Sequence, residues 1–125
     1  FMAGILILVG FAGQGVETGS FSAAAQAASK GAEMIPSAAA LLVLAATAGG
    51  GATAIFALGL ALLGAGLYMK KSVHVISSAS YMIIGLFGVI GSIFFYDAGL
   101  MAVYYFGLTI TTVAVGIELI RTGQD

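Results

Sequence analysis

The chain has 125 residues, 61% of them hydrophobic and 7% charged, with a formal net charge of −1 and a mean hydropathy of +1.14. Water-soluble domains carry roughly 25% charged and 45–50% apolar residues, so a free-standing soluble globule is excluded. The 19 glycines, single proline and lack of cysteine exclude a disulfide scaffold, a Cys-based zinc site and a thiol nucleophile. The glycines follow no three-residue period, which excludes collagen, and the near-neutral charge gives no basis for tight nucleic-acid binding.

The sequence opens on Phe1, so removal of something upstream is expected, by a processing peptidase or by experimental truncation. Residues 2–11 could pass for the apolar core of a signal peptide, with Ala25-Gln26-Ala27 as its small-residue site. No basic residue precedes them, however, and the stretch reads as part of the mature chain. Asparagine is absent and glutamine occurs only as Gln14, Gln26 and Gln124. Depletion of thermolabile amides is one habit of proteins from hot environments, and a plain shortage of polar residues is the other reading.

Residues 1–34 are expected to form an N-terminal peripheral helix. Residues 1–11 are apolar but shorter than the roughly 20 residues of a spanning helix, and Gly13 and Gly15 predict a break or bend. Thr18 or Ser20 is a candidate cap for a following helix through Lys30, with Lys30 and Glu33 on one face.

Beyond this point the charges punctuate the chain. Glu33 and Lys70 enclose 36 uncharged residues, Lys71 and Asp97 another 25, and Asp97 and Glu118 a further 20. Each interval is long enough to cross a bilayer core. The absence of period-2 alternation favours helices over barrel strands.

Pro36, suited to a first helical turn, opens a helix over residues 36–69. It is expected to run through Gly49-Gly50-Gly51, because an apolar medium offers the backbone no other partners. Residues 70–74 form a basic turn with Ser72 as candidate cap, and residues 75–96 a returning helix. Asp97-Ala98-Gly99 is a candidate break, after which residues 98–122 form a last helix or a continuation. Residues 123–125 read as a frayed end. One all-helical domain is expected over residues 1–125.

Small residues are dense along these helices. Ala45/Gly49, Ala46/Gly50, Thr47/Gly51 and Ala48/Ala52 stand at small-xxx-small spacing, and Gly59, Gly64, Gly85, Gly88 and Gly91 continue the supply. Apolar helices in lipid associate through close van der Waals packing, which small residues permit. Packing within one bundle is one use of them. Small residues on every side of a helix point further, to an assembly of many copies.

No catalytic constellation emerges, and the chain is expected not to be an enzyme. His74 lacks a second ligand at metal spacing. The glycines around residues 10–19 lack the strand, lysine and helix context of a phosphate loop. Asp97 and Glu118 are candidates for ion translocation if they lie at membrane depth, but a chain break and a chain end are interfacial places, where Glu118 stands beside Arg121. Lys70 and Lys71 fit the positive-inside rule, with Arg121 on the same face and Glu17 and Asp97 opposite. They also fit binding of lipid phosphates or the lining of a passage for an anionic polymer, with Ser72 and His74 beside them.

The stretch Leu63-Gly64-Ala65-Gly66-Leu67-Tyr68-Met69, the turn Lys70-Lys71-Ser72-Val73-His74 and the return Tyr81-Met82-Ile83-Ile84-Gly85-Leu86-Phe87-Gly88 together resemble the conjugative pilins of type IV secretion systems, including related archaeal DNA-import pili. The resemblance covers residues 36–96; residues 97–121 extend beyond the usual hairpin. It implies an all-α, membrane-type fold: a long antiparallel apolar hairpin with an N-terminal peripheral helix and a C-terminal extension, assembling into a helical filament. It further implies a lipid-containing pilus that conducts DNA between cells, with Lys70, Lys71, Ser72 and His74 at lipid head groups or the lumen. Many copies of itself, membrane lipid, secretion or import machinery and DNA as cargo would be its partners. It would reside in the cell membrane before assembly and outside the cell afterwards, and bound lipid would be its one non-protein component. The rival expectations are a small multi-pass subunit of a transporter or energy-converting complex, with Asp97 or Glu118 as ion site, and a viral membrane or capsid protein.

Overall fold

A computed structural model describes residues 1–96 and 99–122. It is all-helical across the described residues, with α1 at Met2–Ala28, α2 at Ile35–Lys70, α3 at Val75–Phe94 and α4 at Leu100–Thr122. All four are long and apolar enough to cross a membrane. Consecutive helices run antiparallel: Gly13 of α1 faces Ala52 of α2, Gly64 of α2 faces Met82 of α3, and Gly88 of α3 faces Tyr104 of α4. Helix α2 is the centre, with α1 along one side and α3 along another.

The expected break near Gly13 and Gly15 does not occur; α1 is continuous for 27 residues. Gly10 and Gly13 instead face α2, where a Cβ would lie 2.6 Å from the Cβ atoms of Phe56 and Ala52 respectively. Those glycines bring two backbones together, and the helix persists because its amides have no better partners in apolar surroundings. The helix thus packs closely along α2, as the density of small residues in it leads one to expect. It does not reach Lys30 and Glu33 as one face. It ends at Ala28, Gly31 turns the chain with φ of 122°, and Glu33 belongs to a short 3-10 helix at Ala32–Met34. Only glycine adopts that backbone without strain.

Pro36 stands in the first turn of α2, which runs unbroken through Gly49-Gly50-Gly51. Helix α3 ends at Phe94, two residues short of the expected boundary, so Tyr96 lies outside the helix. Asp97 and Ala98 of the expected break lie outside the described residues, as do residues 123–125.

The interior is thin and built from small residues. Ala45 and Ala57 are fully buried, and the largest fully buried side chains are Tyr104, Thr53 and Ser78. Leu60, Val73, Tyr81 and Val115 form one apolar cluster, and Ala57, Met101 and Tyr104 a second. The outside is apolar: Phe11 and Val16 on α1, Val43 and Leu44 on α2, Ile83 and Ile90 on α3, and Phe106 and Val113 on α4 are exposed. Hydroxyl side chains turn back onto their own helices, as in Thr47 to the Val43 carbonyl, Ser80 to Ile76 and Ser92 to Gly88. That bonding satisfies each hydroxyl where no water is at hand.

The helices are unequal, and this sets the shape. The 36 residues of α2 extend about 54 Å at 1.5 Å per residue. The 20 residues of α3 extend about 30 Å, the thickness of a bilayer core. The end of α3 meets α2 at Gly50, where Ser92 and Tyr96 approach it. From there back to Ile35, α2 is accompanied by α1 alone and runs on for about 20 Å.

Candidate functional site

Lys70 is the last residue of α2, still helical where a turn residue was expected, and is exposed. Lys71 takes a left-handed conformation with φ of 53°, the only such non-glycine residue among those described. Its amide returns to the Leu67 and Tyr68 carbonyls, and the Ser72 amide to Leu67 at 3.3 Å. This closure is one that glycine usually provides. Val73 is buried and pins the turn to the body.

Ser72 does not cap α3. His74 does, its Nδ1 accepting the Ile76 amide at 3.3 Å. Glu118 reaches across from α4 to accept the His74 backbone amide and the Ser77 hydroxyl. Its charge therefore sits on the unsatisfied amides and positive dipole end of α3. Sequence reasoning did not find this pairing, because nothing local to Glu118 announces a helix start 44 residues earlier.

Two clefts flank the turn. One of about 520 Å³ is lined by Tyr68, Met69, Val73 and Val75 together with Lys71 and His74. The other, about 440 Å³, lies between α1 and α2, lined by Met2, Ala3, Leu62, Leu63 and Leu67 together with Lys70. Each has a mostly apolar lining that includes one lysine.

Most of the glycines singled out by spacing make contacts within the subunit. Gly49 faces the Glu17 carboxylate, Gly59 faces Ala3 and Ile7, Gly64 faces Ser78 and Tyr81, and Gly85 faces Ala57 and Ala61. Gly88 receives the Tyr104 ring and Gly91 the Met101 sulfur. Gly51 is different: it is exposed and nothing in the subunit lies within 4 Å of where its Cβ would be.

A second polar group lies at the far end of α3. The Tyr96 hydroxyl donates to Glu17 Oε1 at 2.7 Å, and Thr53 Oγ1 and the Tyr105 hydroxyl share a hydrogen bond at 3.1 Å. Burial, then the Glu17 carboxylate beside it, pushes the Tyr96 phenol well above its ordinary range. Glu17 carried no functional expectation from the sequence; a lone carboxylate inside an apolar, glycine-flanked helix was the available signal.

Comparisons of the chain with protein-family models, with curated proteins and with solved structures find no match.

Proposed function

We propose that the chain is a non-enzymatic structural subunit of a lipid-containing helical pilus that conducts DNA between cells. The observation carrying this reading is the overhang of the α1–α2 hairpin. A bilayer core of about 30 Å matches α3 and α4 but leaves some 20 Å of α2 outside it, and that stretch exposes Leu42, Val43 and Leu44. Apolar surface beyond the reach of acyl chains calls for protein to cover it, and many sibling subunits supply that cover. Gly51, open within the subunit, is then available to a neighbouring helix.

The basic turn supports the lipid component. A lysine in the left-handed region costs about 1 kcal/mol or more relative to glycine, so Lys71 sits where the backbone alone favours another residue. Its ammonium, with Lys70 and His74, meets phosphate head groups while the flanking clefts take acyl chain. Neutralised by lipid, that surface lets DNA pass without holding it. The protein begins in the cell membrane and leaves it as an extracellular filament, through membrane secretion or import machinery.

Transfer of marked DNA between cells tests the function. Cells lacking the chain lose transfer and regain it with the wild-type chain but not with Lys70→Glu/Lys71→Glu. Transfer at wild-type frequency without the chain contradicts the reading.

A further inference from the structure

Two opposite charges stand far apart on the subunit, each without a counter-charge. Glu17 is half-buried against Gly49 of α2, at the level where α3 finishes. One of its carboxylate oxygens accepts the Tyr96 hydroxyl at 2.7 Å, and the other has no hydrogen-bond partner among the described residues. Arg121 is exposed on the last turn of α4 and makes no ion pair or hydrogen bond with any of them.

Within one subunit the two cannot meet. Tyr105 of α4 bonds Thr53, one turn of α2 from Gly49, and Arg121 lies 16 residues further along α4, about 24 Å at helical rise. A second copy can close that gap. Beyond the end of α3, α1 and α2 run on for about 20 Å and leave a step. Its wall carries the exposed Leu42 and Val43 of α2, and at its foot lies a shallow cleft of about 360 Å³ lined by Thr47, Gly50, Gly51, Ile93 and Tyr96. The last turns of α4 have the matching chemistry, with Ile117 and Ile120 exposed beside the Arg121 guanidinium. Isoleucine against that wall removes apolar surface from water. A guanidinium pairs with a carboxylate through two parallel N–H donors, and complementary charges across an interface fix its register.

We propose that the last turns of α4 of a second copy seat in this step, with Arg121 of the second copy paired to Glu17. Successive copies then stand head to tail, each α1–α2 overhang covered by the basic end of the next, while Lys70 and Lys71 stay free for head groups. This contact rests on the polymer reading above and specifies how its copies meet.

Polymer made by cells carrying only Arg121→Lys, which keeps the charge, tests the contact by zero-length cross-linking. A water-soluble carbodiimide activates the Glu17 carboxylate and the amine introduced at position 121 displaces it. An amide forms, the protein pair loses one water and the reagent leaves as its urea. A ladder of linked subunits is expected, with peptide mapping placing the link between positions 17 and 121; wild-type polymer, whose guanidinium does not react, lacks that link. Glu17→Arg and Arg121→Glu, each with helix content unchanged, are expected to cut polymer yield about tenfold or more, and the two together to restore most of it. Abundant Arg121→Lys polymer with no link between positions 17 and 121 overturns the contact and leaves the pilus reading standing. Glu17 joined instead to a lipid amine, or to Lys70 or Lys71 of another copy, overturns it as well. Absence of polymer from wild-type cells overturns both.

Discussion

Glu118, near the end of α4, closes the start of α3 by accepting the backbone amide of His74 and, through its second oxygen, the hydroxyl of Ser77. A residue 44 positions later in the chain thus supplies the cap that the turn itself provides only through His74. Replacing it isolates this effect. Glu118→Ala is expected to speed hydrogen exchange at the amides of His74, Ser77 and Ser78 while leaving the middle of α2 protected. Glu118→Gln, which keeps an acceptor but not the charge, falls between. Unchanged exchange in the first turn of α3 contradicts the capping role.

Gly85 and Gly51 separate packing within the subunit from packing between subunits. A Cβ on Gly85 would stand 2.5 Å from the Ala61 backbone nitrogen and 2.7 Å from the Ala57 carbonyl, so α2 and α3 would have to part. Gly85→Ala is expected to cost about 1–3 kcal/mol of subunit stability, the usual range for an overpacked core. Gly51→Ala meets open space and gains up to about 1 kcal/mol of helix propensity. Gly51→Leu is expected to leave the thermal midpoint of detergent-solubilised subunit unchanged and to block assembly. A loss of subunit stability in Gly51→Leu comparable to that in Gly85→Ala would contradict the assignment.

Tyr104 buries its hydroxyl without a partner among the described residues. A buried, unsatisfied donor is a liability. Tyr104→Phe is expected to leave stability unchanged or raise it by about 1 kcal/mol, read from thermal unfolding in mild detergent. A loss of more than about 1 kcal/mol would mean that the hydroxyl is bonded.

Lys70 and Lys71 carry the lipid claim. Lys70→Glu/Lys71→Glu is expected to lower the phospholipid retained per subunit severalfold, measured as phosphate per polypeptide after purification. The same lipid content in the variant would remove the role given to the turn.

Alkaline pH reports on Tyr96. Its phenol is held above the ordinary value of 10.0, by burial first and by Glu17 second. The unfolded chain therefore releases that proton before the folded one does. Stability is complete below the ordinary value and falls as pH rises through the range above it. Tyr96→Phe removes the group and is expected to flatten the decline. Parallel curves for wild type and variant would show that Tyr96 ionises as it would in the unfolded chain.

The spans of α2, α3 and α4 are legible in the sequence because uncharged runs bounded by Lys70, Lys71 and Glu118 coincide with what an apolar medium accepts. The small-residue face of α3 is legible as well, since Gly85, Gly88 and Gly91 recur every third residue along it. The continuity of α1 is not legible: Gly13 and Gly15 look alike in sequence, and only contact with Ala52 distinguishes the first from the second. Tertiary packing there overrides propensity. The partners of Glu17 and Glu118 are equally hidden. Tyr96 lies 79 residues from Glu17, and no local pattern encodes a pairing set by two antiparallel turns. Ser72 looked like the cap of α3 because its residue type favours that role, yet the left-handed turn at Lys71 advances the helix start to His74 and Val75.

The overhang of α1 and α2 past the end of α3 is where the account is most exposed. Electron microscopy of material purified from its native source, without disassembly, tests it most directly. The account predicts a long helical polymer in which Leu42, Val43, Leu44 and Gly51 are covered by neighbouring copies, with ordered lipid beside Lys70 and Lys71. A discrete subunit in a lipid or detergent belt, with those residues facing only acyl chains or solvent, would contradict it.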